Sequence, residues 1–325
     1  MKKISPNLMK VTKLLSDLEF HDGTSLGDYL NITRTAVWKV IKKLEAYQVP
    51  LTSTKGKGYQ FHEPLILLEK LRIKKLLKTK SMQLEVYEEV DSTNDQVKKI
   101  YDPKKKITVC LAETQTQGRG RFQRHWHSPF AQNIYISLLY PFNKDISELA
   151  GLSLIVGLAI CKTLESCCNL SKPLLVKWPN DVMYDNQKLA GSLIEVQAQT
   201  NDTCQVIIGI GLNVNMQLDP DKKIKQTWTS LKESTNQFYD RNILTASLIE
   251  HVTDYLDQFA QLGLKSFLNE WRTRDYLFNK PVHLKSHHEE LRGIGQGISE
   301  HGHLLIKLND NSLRSFSAGD TTLLK

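Results

Sequence analysis

Apolar positions along the chain repeat at helical spacing first and at strand spacing later. Leu8, Val11, Leu14, Leu15 and Leu18 recur three and four apart behind Ser5-Pro6, which predicts an amphipathic helix with Ser5 as N-cap and Pro6 as first residue. His21-Asp22-Gly23 breaks the pattern, and Thr24 or Ser25 is placed to cap a short second helix through Leu30. Asn31-Ile32-Thr33 then makes a tight turn with Thr33 as the next cap, so a third helix opens at Arg34. Val37, Val40, Ile41 and Leu44 share one face of it, which leaves Arg34, Thr35, Trp38, Lys39, Lys42 and Lys43 pointing outward. Residues 51–54 and 59–62 read as short strands around Lys55-Gly56-Lys57-Gly58, whose glycines permit the turn and whose lysines reach out from it.

Residues 1–63 thus form a winged helix-turn-helix. Its third helix would enter a major groove with Arg34, Thr35, Trp38 and Lys39 near base edges, while Lys55 and Lys57 contact phosphates. A helix-turn-helix used only for protein contact is the alternative. Residues 65–80 carry leucines on one face and six Lys or Arg on the other, a surface helix opening a second domain. Residues 86–90, 108–112, 134–139, 174–178, 189–196 and 206–214 are strand-like, and 146–168 and 244–259 are helical. Short turns such as Asp185-Asn186 favour an α+β domain with a largely antiparallel sheet over 64–274. Residues 275–325 change to short strands with tight turns, hence a small β-barrel.

Charge sharpens the picture at the N-terminus. The net charge is +8, and residues 1–62 hold ten Lys or Arg against five Asp or Glu. A polyanionic partner or a solvated surface would account for that. Cys110, Cys161, Cys167, Cys168 and Cys204 contain no C-x-x-C pair, so reduced thiols are expected rather than disulfides or a zinc site. His287-His288 and His301-Gly302-His303 read as solvated loops, and no metal site is expected. Residues 149–161, free of charge, are too few to cross a bilayer, and no apolar signal region follows the N-terminal lysines. A cytoplasmic location without membrane association is expected.

Five segments carry candidate chemistry. Gly118-Arg119-Gly120-Arg121-Phe122-Gln123-Arg124-His125-Trp126 sets three arginines among glycines and aromatics. Alternate glycines would let backbone N–H groups face a ligand, arginines supply bidentate donors for phosphate or carboxylate, and Phe122 and Trp126 can exclude water. In Lys177-Trp178-Pro179-Asn180-Asp181 the lysine ends an apolar strand, so its ammonium must snorkel out or meet an anion. Asp91-Ser92-Thr93-Asn94 precedes a helix and would serve at least as an N-cap. Gly209-Ile210-Gly211-Leu212-Asn213 marks a bulge or a ligand pressed against a strand, as does Lys188-Leu189-Ala190-Gly191.

In this order, behind a wing ending in Gly56-Lys57-Gly58-Tyr59, the motifs resemble the bifunctional biotin-protein ligase and biotin-operon repressor family over nearly the whole chain. The resemblance implies a central domain with a mixed sheet and helices, similar to class II aminoacyl-tRNA synthetases, and an SH3-like C-terminal domain. It implies that biotin, ATP and Mg2+ give biotinyl-5'-AMP, which passes biotin to a lysine of the biotin carboxyl carrier protein of acetyl-CoA carboxylase. It also implies an adenylate-bound homodimer on biotin operator DNA. Ser92, Thr93, Asn94 and Gln115 would hold the biotin ureido ring, and Arg119, Gly120 and Arg121 would close over biotin and the adenylate. Lys177 would meet the reacting carboxylate and phosphate, making Lys177, Arg119 and Arg121 the catalytic set. Gly118, Arg121, Trp126, Asn180 and Asn213 would take the nucleotide. Phe122-Gln123 departs from family loops that have a further glycine, and residues 316–320 offer no arginine where some relatives contact the nucleotide. Lipoate-protein ligases share the catalytic fold but not these motifs or this front end. A non-enzymatic repressor sensing a small acid would need no Lys177.

Overall fold

The computed structural model describes residues 1–78, 81–105, 107–198, 204–217, 224, 226–285 and 289–323. Helix α1 (Pro6–Leu15) is capped by Ser5, which accepts from the Leu8 amide, and it ends before Leu18, whose φ is 67°. Helix α2 (Gly23–Leu30) is capped by Asp22 rather than Thr24 or Ser25: the carboxylate accepts from both their amides. An ionised oxygen two residues before Thr24 is the better partner for the positive helix end. Helix α3 (Arg34–Ala46) starts where the sequence predicts, with Thr33 accepting from Ala36. Strands β1 (Leu51–Thr54) and β2 (Gly58–Phe61) form the wing. Gly58 has φ 102°, and a Cβ there would stand 2.0 Å from the His21 carbonyl oxygen. Leu8, Val11, Leu26, Val37, Ile41 and Leu44 close the core of this unit.

Helix α4 (Lys70–Leu76) is much shorter than the helix predicted over 65–80, whose last residues, 79 and 80, lie outside the described ones. The chain ahead of it is held by groups from elsewhere: the Leu68 amide donates to Glu113 Oε1 at 2.5 Å, and the Leu67 carbonyl accepts from Asn242 Nδ2 at 3.0 Å. Those bonds compete with the helical ones the leucine spacing anticipates.

The central unit runs β3 (Met82–Val90), α5 (Thr93–Lys99), β4 (Ile107–Gln115), β5 (Ile134–Phe142), α6 (Leu152–Cys167), β6 (Leu174–Lys177), β7 (Asp181–Tyr184), β8 (Gln187–Ala198), β9 (Cys204–Leu212), α7 (Leu231–Thr235), α8 (Arg241–Leu262) and α9 (Leu268–Arg274). The strand order is β3-β4-β5-β9-β8-β7-β6; β3 and β4 pair in parallel and the other neighbours antiparallel. Ile136, Leu138, Val176, Ile208 and Ile210 bury one face in the core formed with α6 and α8. Cys110, Ala112, Leu139 and Ile207 line the other, with Val97 of α5. Contrary to the sequence expectation, Ile146–Cys167 is long and apolar enough to cross a membrane, because Glu148, Lys162 and Glu165 do not end it; 61% of its apolar window is buried inside the protein.

Strands β10 (Pro281–Lys285), β11 (Glu290–Ile298), β12 (Leu304–Lys307), β13 (Leu313–Phe316) and β14 (Asp320–Leu323) form a five-stranded antiparallel sheet. The polar Asp-Thr-Thr start of β14 hid it from a reading by hydrophobic period. This unit sits on the Lys177–Asp181 turn: Trp178 Nε1 donates to the Gly302 carbonyl at 3.1 Å and Thr321 Oγ1 to the Trp178 carbonyl at 3.0 Å. His301 and His303 flank that same Gly302, and His287-His288 lie outside the described residues.

Candidate functional site

Registers across the central sheet align Lys177, Asp181, Gly191, Gly211 and Tyr135 in one row, with Leu193, Gly209, Ser137 and Cys110 in a row two residues along. Residues two apart share a face, so Gly209 and Gly211 leave two bare patches side by side. A Cβ on Gly209 would stand 2.3 Å from Asn94 Oδ1, and one on Gly211 would stand 2.3 Å from Trp126 Cε2. The glycines therefore mark neither a bulge nor a ligand on the backbone. They admit two side chains of the site itself.

Ser92 stands at the N-cap of α5, yet its side chain makes no capping bond, so capping does not explain the motif. Thr93 and Asn94 are buried instead. The Thr93 amide donates to Gln115 Oε1 at 2.8 Å, Asn94 Nδ2 donates to Glu195 Oε1 at 3.0 Å, and Gln115 Nε2 reaches Ser128 Oγ at 3.4 Å. Ser137 Oγ lies 2.7 Å from Thr93 Oγ1 and 2.6 Å from Asn94 Oδ1. Burial opposes ionisation of Glu195, but hydrogen bonds from Lys98 and Asn94 hold its carboxyl below the usual range. Ser137, Ser128 and Glu195 were not singled out in the sequence. A serine inside the apolar run 134–139 was the available signal.

The arginine loop is a small hairpin. The Trp126 amide donates to the Gly118 carbonyl at 2.8 Å and the Gly120 amide to the Arg124 carbonyl at 2.7 Å, so the Gly120 N–H is spent within the loop rather than offered to a ligand. Phe122 and Gln123 at its tip take φ of 54° and 56°, a region that favours glycine. Phe122 is 46% exposed there and does not cover the site. Trp126 does, and its buried Nε1 has no hydrogen-bond partner among the described residues.

The arginines divide their work. Arg119 makes a bidentate pair with Asp95 at 2.7 and 2.8 Å and lies 3.6 Å from Glu195, so it docks the loop on α5 and β8. Hydrogen bonding to Arg119 holds the Asp95 carboxyl below its ordinary range. Arg124 pairs with Asp320 of the C-terminal unit. Burial pushes the Arg121 guanidinium and the Lys177 ammonium below their usual values, and Asp181 and Asp320 oppose the shift at both. Arg121 and Lys177 therefore share one anionic neighbourhood, whereas Arg119 is held apart from it by Asp95 and Glu195. Lys188 completes the cationic group: its Nζ is 2.8 Å from Asp181 Oδ1 and 5.2 Å from the Trp126 ring centroid. In Lys188-Leu189-Ala190-Gly191 it is thus the lysine, not only the glycine, that belongs to the site.

Asn180 Nδ2 donates to the Ser192 carbonyl at 2.7 Å and Asn213 Nδ2 to the Thr229 carbonyl at 3.0 Å, so both side chains brace the walls. Among the described residues no three His, Cys, Asp or Glu side chains gather as a metal cage. On α3, Arg34, Thr35, Trp38 and Lys39 are exposed, as are Lys55 and Lys57 on the wing. Lys43 is not free to meet a partner: its Nζ lies 2.5 Å from Glu88, which is fully buried.

The Biotin/lipoate A/B protein ligase family model matches residues 86–213, an HTH domain matches 8–60 and the Biotin protein ligase C terminal domain matches 277–322. The Bifunctional ligase/repressor BirA of Escherichia coli (strain K12) is 35% identical over 315 residues, covering 97% of this chain and 96% of its own. That of Bacillus subtilis (strain 168) is 29% identical over 310 residues, covering 92% and 93%. Among solved structures, a biotin protein ligase from Aquifex aeolicus in complex with biotin and ATP superposes with a TM-score of 0.63 at 29% identity, over 75% of this chain and 99% of its own.

Proposed function

We infer that this chain, which belongs to the bifunctional biotin-protein ligase and repressor family, activates biotin with ATP as biotinyl-5'-AMP, transfers it to a protein lysine, and binds DNA as a repressor. One observation carries the reading: Trp126 stands over Gly211 with Lys188 5.2 Å from its ring, while Asn94 stands over Gly209 two residues along the same strand, hydrogen-bonded into the polar group that holds Thr93 and Gln115. That polar group suits a cyclic urea, and the cations suit a carboxylate beside a phosphate.

A biotin carboxylate oxygen attacks the α-phosphorus of ATP, and the bond to pyrophosphate breaks. The barrier lies mainly in bringing two anions into line, so Arg121, Lys177 and Lys188 lower it by charge neutralisation and positioning, with no side-chain nucleophile. Arg119, Gly118 and Gly120 hold the loop in place, Trp126 covers the adenylate, and Asn180 and Asn213 fix the walls around it. The acceptor lysine amine then attacks the biotinyl carbonyl and AMP leaves. The carboxylates at hand do not fit a resident metal, since Asp181 is engaged by Lys188 and Asp320 by Arg124. Magnesium belongs instead with the nucleotide phosphates, whose charge it reduces.

Residues 1–63 serve as the DNA-binding domain, 64–274 as the ligase and 275–325 as a β domain that props the catalytic turn. Arg34, Thr35, Trp38 and Lys39 meet bases and Lys55 and Lys57 meet phosphates of a biotin operator, as a homodimer when the adenylate is bound. The acceptor is the biotin carboxyl carrier protein of acetyl-CoA carboxylase, in the cytoplasm. Incubation with labelled biotin, ATP and a carrier domain should give pyrophosphate and labelled carrier; no biotin-dependent pyrophosphate would overturn the ligase, and operator binding indifferent to biotinyl-AMP would overturn the repressor.

A further inference from the structure

Strand β6 ends the seven-stranded sheet, so one side of it faces no further strand of that sheet. Carbonyls two residues apart in an extended chain turn to the same side, and along an edge they need donors from elsewhere. The carbonyls of Leu174, Val176 and Trp178 have that spacing, and each is taken from residue 274 onward. Arg274 Nη1 reaches the Leu174 oxygen at 3.5 Å, the Tyr276 amide donates to the Val176 oxygen at 3.0 Å, and Thr321 Oγ1 donates to the Trp178 oxygen at 3.0 Å. Lys177 stands between the second and third of these bonds.

The two neighbours of Lys177 are held by different means. Val176 is seated by its side chain in a notch of α6, where a Cβ on Gly157 would stand 2.8 Å from Val176 Cγ1. Trp178 is held by the β domain: Thr321 takes its carbonyl, and its indole N–H donates to the Gly302 carbonyl at 3.1 Å. Pro179 follows and has no N–H by which the turn could be tied, so carbonyls are the handles it offers. The Pro179 oxygen accepts from Ser153 Oγ at 2.8 Å. Thr321 is 1% exposed, and its neighbour Asp320 pairs with Arg124 of the arginine loop.

We propose that Thr321 is a positioning residue for adenylate formation: it fixes the Trp178 carbonyl and thereby aims the Lys177 ammonium at the reacting carboxylate and phosphate. The β domain then takes part in the chemistry through the backbone of the catalytic turn, with no need to touch the nucleotide itself. A misplacement of about 1 Å, caused from outside the reacting centre, can cost on the order of 100-fold in rate.

The inference rests on the ligase reading, and the wild type tests that reading first: without biotin-dependent pyrophosphate release the reading fails before Thr321 is at issue. Given an active wild type, Thr321→Val keeps the shape and removes the donor, and Thr321→Ser keeps the donor. The kcat for adenylate formation should fall at least tenfold in Thr321→Val with KM for biotin within twofold, and Thr321→Ser should stay within threefold of wild type. In a Lys177→Ala background, followed by single-turnover pyrophosphate release, Thr321→Val should cost less than a further twofold, because no ammonium is left to aim. If Thr321→Val lacks the wild-type circular dichroism spectrum, the same cycle is run with Thr321→Ala. No loss in the donor-less variant, no recovery with serine, or the same fold-loss with and without Lys177 would show that Thr321 only joins two domains and would overturn the proposal.

Discussion

Tyr47, one residue past the end of α3, stacks face to face on Phe130, with ring centroids 4.2 Å apart and planes within 3°. Phe130 follows Trp126 by four residues, yet it is buried in the winged-helix core. Tyr47 and Lys43 also bond Glu88, which precedes Ser92 by four residues. Two short connections thus run from the DNA-facing helix to the ligand pocket. Phe130→Ala should cost about 3–5 kcal/mol, as for other buried Phe truncations. In urea the winged helix should then unfold before the central domain; one unshifted transition would count against this packing.

Lys177 and Lys188 are assigned to charge neutralisation at the reacting centre. Replacing either with Ala should lower kcat for adenylate formation by roughly 100- to 1,000-fold, about 3 to 4 kcal/mol, with the fold intact by circular dichroism. Near-normal turnover in one variant would remove that lysine from the chemistry.

Burial depresses the Lys177 pKa, and the cation is the working form. Activity should therefore decline with rising pH at a value below the roughly 10.4 of a free lysine. Lys177→Arg, whose guanidinium stays protonated, should push that alkaline limb upward in a kcat/KM profile.

Gly211→Ala would place a methyl group where Trp126 now lies. The indole must leave, so KM for ATP should rise at least tenfold while biotin affinity changes little. Tryptophan fluorescence quenching on nucleotide addition should shrink in parallel, and an unaltered KM would dissociate Trp126 from the nucleotide.

The Arg119–Asp95 pair sets how the docked loop responds to acid. Its carboxylate titrates below the unfolded value of about 3.9, so the contact is fully present above that value and fades only as pH falls through the lower folded one. Biotinyl-AMP dissociation from the wild type should be flat from neutral pH down to about 5. Arg119→Ala should release the adenylate faster across that whole range; equal rates would show that the clamp does not retain it.

Periodicity found the three helices and the wing because each is short, local and capped by its own residues. It overextended the 65–80 helix, where Glu113 and Asn242 capture the backbone from far along the chain. The loop and the Lys177 turn were legible because Gly, Arg and Pro are rare in strands. Ser137 and Glu195 were not, since their meaning lies in cross-strand neighbours. Arg119 looked like an anion ligand until Asp95, next to the Asp91–Asn94 motif, proved to be its partner.

Residues 118–130 are fastened by three different bodies: Arg119 by α5, Arg124 by Asp320 of the β domain, and Phe130 by the winged helix. A hybrid enzyme whose borrowed stretch lacked an aromatic residue at the place of Phe130 would leave Tyr47 without its stacking partner. Exchanging either outer module therefore also removes a fastening of the loop that carries Trp126.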